Sequence, residues 1–542
     1  MPQRTLRGDW RYADTAVYGV KPVHSRILMP LQRRAFNQHA EYLSKPRICA
    51  ILLVLQTDIV CVLQHSHKDS STKYMNTQKT RNDFSKGSIS GNILRLAVPM
   101  TLAQLVNVLY NVVDRVYIGL LPEHASLSLA GLGICLPVIT FVMAFANLYG
   151  MGGAPLTSIE RGRGNLEEAE RIMGTSFNLL VRTGLVLTVV LLLIKKPMLY
   201  LLGASDAIYP FAASYLSIYM LGNVSVMIGL GMNMFINAQG FAGIGMMTVI
   251  IGAVANLILD PVFIFLFHMG VQGAALATII SQTLSAIWIM KFLTGERAIL
   301  RIKKERMELE KPRVLRILGL GASGFMFLMT NSLVQMFCNS TLQRWGGDLY
   351  ITAMTVIMSV RELAFQVVHG VTNSAQPVIG YNYGAKEYGR VKQAILFTTG
   401  ATVLYAGIIW AAIHMFPEAF IRIFNRDPEL LAVAVPAIRL YFFAFIFMAL
   451  QSSGQSTAVG LGRSKQSIFF SIFRKVIIVV PLTILLPYWN GLGTDGVFLA
   501  EPISNVIGGS ACYITMLLTI WRELTRKERE KKAALRDGEN GR

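Results

Sequence analysis

The stretch that decides the fold is PMTLAQLVNVLYNVVDRVYIG, residues 99–119. It is long and apolar enough to cross a bilayer, yet it carries the carboxylate of Asp114. Three amides precede this carboxylate at helical spacing, so all four polar side chains share one helix face; the amides are Gln104, Asn107 and Asn111. A carboxylate at bilayer depth costs about 2.5–3.5 kcal/mol and is tolerated where it faces a bundle interior or a watery cavity.

A second stretch, IIGAVANLILDPVFIF at residues 250–265, repeats this pattern. Asn256 and Asp260 stand one helical turn apart in an otherwise apolar run. Two polar stripes that each include an aspartate, in a chain that is otherwise apolar, indicate an ion or proton site inside a membrane protein.

The composition places most of the 542-residue chain in lipid. Hydrophobic residues make up 53% of the sequence and charged residues 15%, against about 25% charged in soluble domains. The mean hydropathy is +0.47. About a dozen apolar stretches are long enough to span a bilayer as helices, and they lack the alternation in units of about ten residues that β-barrel strands show.

The net charge is +20, and the basic residues are distributed as expected for the loops of a membrane protein rather than for a nucleic-acid-binding protein. If both chain ends lie on one side, the loops of that side hold sixteen Lys and Arg residues and the opposite loops hold five. Basic residues are densest in 296–313 and 522–536. We therefore expect a multi-pass protein of the inner, cytoplasmic membrane with both termini in the cytoplasm and no nucleic-acid partner.

The sequence lacks the motifs of several other chemistries. The five cysteines form no CxxC pair and no Cys/His spacing, so neither a disulfide framework nor a zinc site is implied. No GxxxxGK[ST] motif is present, so ATP does not drive this protein directly. We expect no cofactor and no obligate protein partner.

We predict an all-α integral membrane protein with twelve transmembrane helices, arranged as two six-helix bundles related by internal duplication. The predicted spans are 92–120, 126–150, 170–195, 207–238, 243–268, 271–295, 314–342, 349–374, 389–416, 429–459, 466–488 and 494–522. The predicted domains are an N-terminal extension (1–90), an N-lobe (91–295), a basic cytoplasmic linker (296–313), a C-lobe (314–522) and a basic cytoplasmic tail (523–542). Residues 1–74 are expected to be disordered or an artefact of start-site assignment.

The duplication is visible in paired residues. Gly150 and Gly370 are 220 positions apart, in similar segments that follow the second and eighth predicted helices. GVQGAALAT (270–278) likewise resembles TDGVFLAE (494–501), with Gly273 over Gly496 at an offset of 223. Because each half has an even number of helices, the halves have parallel topology and the substrate path lies between them.

With these features the chain resembles the multidrug and toxic compound extrusion (MATE) family over about residues 90–525. The resemblance rests on the six-plus-six duplication, the Gly-rich ends of the second and eighth helices, and NLILDPVFIF (256–265) in the fifth. The leader FSKGSISGNILRLAVP (84–99) is similar to the bacterial branch of DNA-damage-inducible and staphylococcal-type exporters.

The resemblance implies a cation site in the N-terminal half. Family members bend the first helix at a proline and bind a cation fifteen residues later, and Pro99 and Asp114 match that spacing. The remaining residues of the implied site are Asn256, Asp260 and Thr278. Another branch places acids on the seventh and tenth helices; here those helices offer only amides and a hydroxyl, namely Asn331, Gln335, Asn339, Gln451, Gln455 and Ser456.

The implied ligands are all oxygens, which suit a hard cation. Two neighbouring carboxylates cannot both ionise cheaply in a low dielectric, so the pocket can hold one Na⁺ or one to two protons. The alternative is structural: Asp114 pairs with Arg115, Asn256 and Thr278 bond neighbouring helices, and Pro99 only kinks its helix.

The acidic membrane residues of the C-terminal half, Glu362 and Glu501, are expected to pair locally. The partner of Glu362 is Arg361, and that of Glu501 is Arg474 or Lys475; lining a substrate cavity is the alternative role. The full set of cavity or structural candidates is Pro99, Gln104, Asn107, Asn111, Gln282, Asn331, Gln335, Glu362, Gln451 and Glu501.

Together these features predict a secondary active antiporter, not an enzyme. It would exchange Na⁺ or H⁺ for amphipathic, cationic, drug-like compounds by alternating access and so confer antibiotic resistance. The alternatives are a flippase for lipid-linked oligosaccharides, which would carry a cationic central cavity and often two extra helices, and an integral-membrane prenyltransferase, which would need a DDxxD-like metal cluster that the sequence lacks. A passive channel is disfavoured by the two-lobe repeat with its buried carboxylates.

Overall fold

The computed structural model describes residues 82–119, 121 and 125–540, and this part of the chain is helical and holds no β-strand. The predicted extension 1–74 lies outside the described residues. Eight of the predicted spans correspond to single helices, which are α1 (Ile89–Gly119), α2 (Ala125–Gly162), α3 (Leu166–Leu201), α5 (Ala242–Leu266), α6 (Gly270–Thr294), α9 (Tyr388–Met415), α11 (Ser464–Tyr488) and α12 (Gly493–Asp537).

The other four predicted spans are bent or joined. α4 consists of Tyr209–Leu221 and Asn223–Ala238 with a 58° bend, and α10 consists of Pro428–Phe442 and Phe445–Gly460 with a 44° bend. The helical stretch Lys311–Gly384 would be about 110 Å long if straight, far more than a bilayer needs. It is broken at Gly347, whose φ of 68° is outside the helical region, into α7 (311–346) and α8 (348–384). The described residues thus contain the twelve predicted spans.

The internal duplication extends to individual backbone contacts. A Cβ atom at Gly273 would lie 2.8 Å from the carbonyl carbon of Phe263, where α6 crosses the end of α5. A Cβ atom at Gly496 would lie 2.6 Å from the carbonyl carbon of Leu486, where α12 crosses the end of α11. Gly496 and Leu486 of the second contact lie 223 positions after Gly273 and Phe263 of the first, so the two halves have the same architecture.

Three apolar clusters stabilise the described residues; one joins α1 to helices of the C-terminal half, and each of the other two belongs mainly to one half. One cluster of buried side chains comes almost entirely from α2 to α6 and the segment that follows, with Phe235 at its centre. The other comes from α7 to α12, with Phe442 and Phe498. The basic segment 296–313 packs against α3. Glu170 of α3 accepts a hydrogen bond from the Arg301 backbone N–H at 3.0 Å and forms an ion pair with Arg306.

The halves meet along α2, α7 and α8 on the side that carries the basic loops, which we call the basic face. A Cβ atom at Gly162 would overlap the Tyr381 carbonyl oxygen, and one at Gly384 would overlap the Ile159 carbonyl oxygen. α2 and α8 therefore approach backbone to backbone here. Close approach of this kind requires glycine, and it closes the basic face in this conformation.

A short segment before α1, residues 82–87, completes this closure. Arg161 of α2 donates hydrogen bonds to the carbonyl oxygens of Asn82 and Ala238, and its guanidinium lies 5.0 Å from the ring centre of Tyr381. The Tyr381 hydroxyl donates to Asp83 at 2.9 Å. The segment thus links the ends of α2 and α8.

Candidate ion-coupling site

The acidic pair lies where α1 packs against α5. Asp260 is fully buried and Asn256 is nearly so. The Asn256 side chain donates to Asp260 Oδ1 at 3.0 Å, as their spacing of one helical turn predicts. This bond holds one oxygen of the Asp260 carboxyl group and leaves the other oxygen, Oδ2, without a hydrogen-bond partner in the protein.

Asp114 and Asp260 are neighbours and interact electrostatically through their carboxyl groups. One buried oxygen on each side chain, Asp114 Oδ1 and Asp260 Oδ2, has no protein hydrogen-bond partner. An ionised carboxylate has only acceptors, so two carboxyls at this separation need a proton or a cation between them. The arrangement can therefore take up a proton or a small hard cation.

Tyr110 and Gln282 extend the site. The Tyr110 hydroxyl lies beside Gln282 of α6 and in the electrostatic field of both aspartates. Tyr110 precedes Asp114 by one turn of α1, and that spacing in the sequence places both side chains on one helix face. Tyr215 of α4 is buried within the field of Asp114 as well, and nothing in the sequence marks it.

Two other side chains are less directly connected to the pair. The Thr278 hydroxyl donates to the Ala274 carbonyl at 2.9 Å, so its proton is not donated to either carboxyl, although its oxygen can still accept or ligate. Arg115 is exposed, and no salt bridge joins it to Asp114 among the ion pairs of the described residues. The charge of Arg115 acts on Asp114 without direct contact.

The remaining candidates on α1 line a partly exposed stripe. Asn111 donates to the Asn107 carbonyl at 2.7 Å, and Gln104 is half-buried. α1 runs through Pro99 as one continuous helix in this conformation. The stripe leads along α1 to Asp114.

The C-terminal half has a different polar arrangement. Gln335 donates to Asn339 at 2.8 Å, Gln451 is buried with its Oε1 unpaired, and Asn331 is half-buried. Gln455 donates to Ser471, and Ser456 donates to the Thr372 carbonyl. These helices offer amides and hydroxyls where the N-terminal half offers acids.

The two acids of that half differ in environment. Glu362 is exposed, whereas Glu501 is buried and accepts from Lys475 at 2.8 Å and from Arg474 at 3.0 Å. Among the described residues, no three His, Cys, Asp or Glu side chains form a metal-binding group. The paired aspartates remain the best candidate for a bound cation.

Comparison with known proteins identifies the family. Residues 99–262 and 323–485 match the profile of the MatE family, once in each half of the chain. The chain belongs to the MatE family. It is an integral membrane transporter and not an enzyme.

Two relatives and two solved structures illustrate the similarity. "Multidrug export protein MepA" of Staphylococcus haemolyticus is 22% identical over 427 residues, which is 78% of this chain and 92% of the relative. The protein of the same name from Staphylococcus aureus strain MSSA476 is 24% identical, over 81% of this chain and 95% of the relative.

The crystal structure of MATE in complex with MaL6 has a TM-score of 0.77 at 21% identity, covering 83% of this chain and 99% of that one. The outward-facing conformation of a multidrug resistance MATE family transporter has a TM-score of 0.76 at 21% identity, covering 82% of this chain and 98% of that one. These similarities establish the fold of this MatE protein.

Proposed function

We propose that this MatE protein exports amphipathic organic compounds, chiefly cations, in exchange for Na⁺ or H⁺. The observation that carries the proposal is the pair of Asp260, which is fully buried, and Asp114, which is half-buried, with one buried oxygen on each lacking a partner. The proteins named multidrug export protein MepA, which align with about four-fifths of this chain, support the export of varied small molecules.

The proposed mechanism is a difference in affinity between two facing states. In one state the carboxyl pair is held at contact distance by the packing of α1 against α5, and it binds the coupling cation. In the other state α1 moves relative to α5, the pair separates, and the cation is released while substrate binds. The coupling free energy then equals the difference between the binding free energies of the cation in the two states.

Orientation follows from charge. The basic face carries the basic loops and is closed by α2, α8 and residues 82–87. We propose that this face is cytoplasmic and that the membrane is the cell's inner membrane. The described conformation then represents the state that is closed to the cytoplasm.

The test is efflux of ethidium from proteoliposomes under a Na⁺ gradient, a pH gradient or neither. Wild type should export ethidium under one of the two gradients. Asp114→Asn and Asp260→Asn should lose the response to that gradient, because an amide can neither exchange a proton nor supply the negative charge. Asp348→Asn, which changes an exposed acid beside the break between α7 and α8, is the matched control.

The outcomes separate coupling from export. If both aspartate variants kept full gradient-driven efflux, the acidic pair would not be the coupling site. If wild type did not move ethidium under either gradient while remaining folded, export of organic cations would be wrong for this protein.

A further inference from the structure

The C-terminal half contains the repeat-related counterpart of the acidic pair, with different chemistry. The two family matches begin at residues 99 and 323 and end at 262 and 485, so they are offset by 224 to 223 positions. These offsets place Cys338 at the position of Asp114 and Thr483 at that of Asp260. In the structure Cys338 Sγ and Thr483 Oγ1 lie 3.9 Å apart, and both residues are buried. The contact between the two helices is retained, and both of its carboxylates are missing.

The same offset continues along the last helix. Glu501 takes the position of Thr278, and Asn505 takes that of Gln282. Both Glu501 and Asn505 accept hydrogen bonds from Arg474 Nη1. The counterpart of the acidic site therefore contains fixed cationic side chains.

Positive charge outweighs negative charge within this cluster. Arg474, Lys475 and Glu501 are each 4% exposed. Arg361 of α8 is half-buried and interacts electrostatically with both Glu501 and Lys475. Three cationic side chains thus surround one buried carboxylate. Glu362, which also acts on Arg361, is exposed, and even with its charge included three cations face two carboxylates.

An excess of buried charge at this depth is unfavourable unless something neutralises it. Two guanidinium nitrogens in the cluster, Arg361 Nε and Arg474 Nε, are buried without any hydrogen-bond partner in the protein. Unused guanidinium donors together with uncompensated positive charge are the features expected of a site for an anion.

The local backbone supports a binding role. Arg474 and Lys475 lie in the π-helical segment Phe473–Val479 of α11, and Asn505 begins the π-helical segment Asn505–Gly509 of α12. A π turn changes the direction in which side chains leave the helix, and π segments occur frequently at functional sites. α11 is therefore π-helical at Arg474 and Lys475, and α12 becomes π-helical one turn after Glu501.

We propose that the cluster of Arg361, Arg474, Lys475 and Glu501 is an anion-binding site that takes a phosphate or carboxylate group. The guanidinium donors would bind the anionic oxygens, and Glu501 would hold Arg474 and Lys475 in place. The two halves would then carry repeat-related sites of opposite polarity, one for a coupling cation and one for an anionic group on a substrate or a lipid.

The test measures binding directly and requires no transport. Thermal unfolding of the purified, detergent-solubilised protein is followed by tryptophan fluorescence in two titrations. One titrates inorganic phosphate against chloride at equal ionic strength, and the other titrates short-chain phosphatidylglycerol against phosphatidylcholine of the same chain length. Wild type should show a saturable rise in the unfolding midpoint in at least one titration, and the comparison tells free phosphate from a lipid headgroup.

The variant combines Arg474→Met, Lys475→Met and Glu501→Gln, so that Glu501 and the two cations paired with it are removed together. Its apparent affinity for the stabilising anion should fall by about tenfold to a hundredfold, as expected for one or two lost charge-assisted hydrogen bonds. Arg422→Gln removes an exposed arginine that pairs with Glu418 at the surface and should leave the titrations unchanged.

A second measurement uses wild type alone and so does not depend on the folding of the variant. Crystals soaked in bromide should give an anomalous peak in contact with the Arg474 guanidinium. The proposal would be overturned if wild type gained no stability from either phosphate form and showed no such peak. That result would mean that the cluster does not bind an anion. Equal stabilisation of wild type and the triple variant would overturn it as well, and neither result bears on the cation-coupling proposal.

Discussion

The ion cluster around Glu501 allows a quantitative prediction about stability. Replacing Glu501 by glutamine leaves Arg474 and Lys475 without their carboxylate, although both are almost completely buried. Breaking a buried pair from one side costs about 3–5 kcal/mol, because the remaining charge is uncompensated. Here a single carboxylate oxygen accepts from two cations at 3.0 and 2.8 Å, so we expect a value at the upper end of that range.

The surface pair Arg422–Glu418 provides the comparison. Both of its side chains are more than half exposed, so Glu418→Gln should change the free energy of unfolding by about 0.5 kcal/mol or less. The triple variant Arg474→Met, Lys475→Met and Glu501→Gln should recover most of the loss caused by Glu501→Gln alone, since it removes the two almost completely buried cations together with their carboxylate.

The assay is reversible unfolding in mixed micelles with increasing denaturing detergent, with helical circular dichroism as the signal. A free energy of unfolding for Glu501→Gln within about 0.5 kcal/mol of wild type would refute the argument, because that is the effect of an exposed pair. It would mean that water or a mobile counter-ion already screens the cluster.

Three further predictions follow from the closed basic face and the acidic pair. Gly384→Ala should destabilise the closed conformation by about 1–3 kcal/mol, because the added Cβ atom overlaps the Ile159 carbonyl oxygen. Distances between spin labels on α2 and α8 should lengthen in this variant. In the control Gly407→Ala the added Cβ atom meets no atom within 4 Å, so these distances should not change. Tyr381→Phe should speed hydrogen exchange of residues 82–88 by about tenfold at neutral pH, since it removes the bond to Asp83; unchanged exchange would show that this bond does not hold the segment. Burial raises the pKa of Asp83, but hydrogen bonds from Ser85 and Tyr381 and the charge of Lys86 outweigh burial and lower the pKa below 3.8. The stabilisation of segment 82–87 by the ionised Asp83 is therefore present above about pH 4 and is lost as the pH falls through the lowered pKa. Tyr110→Phe should weaken cation binding by about fivefold without abolishing gradient-driven efflux, because it removes one hydroxyl beside the carboxyl pair; full loss of coupling would assign Tyr110 a larger role.

Much of the helical architecture could be predicted from hydrophobic length alone. All twelve predicted spans contain helix in the structure, because a run of about twenty apolar residues has few alternatives in lipid. The ends were harder to predict. α2 continues to Gly162, well past the predicted end at residue 150, because its last turns pack against α8 rather than lipid. α12 continues past residue 522 into the basic tail, where the ion pair between Lys527 and Glu523 stabilises a charged helix.

The candidate site was predictable only where its residues share a helix. The bond from Asn256 to Asp260 follows from their spacing, and the pairing of Glu501 with Arg474 or Lys475 follows from the cost of isolated charge in a membrane. The contact of Tyr110 with Gln282 depends on how α1 packs against α6, which no spacing encodes. The contact between Cys338 and Thr483 has the same origin, because neither residue is polar enough to stand out in its sequence.

The central claim is that the pair Asp114 and Asp260 takes the cation that organic substrates displace. The most direct measurement adds ethidium to the purified protein in weak buffer and records protons released and radioactive sodium displaced. We predict that wild type releases one of these cations as ethidium binds, and that the double variant Asp114→Asn, Asp260→Asn releases neither while remaining folded. Undiminished release of the same cation by the double variant would contradict the claim.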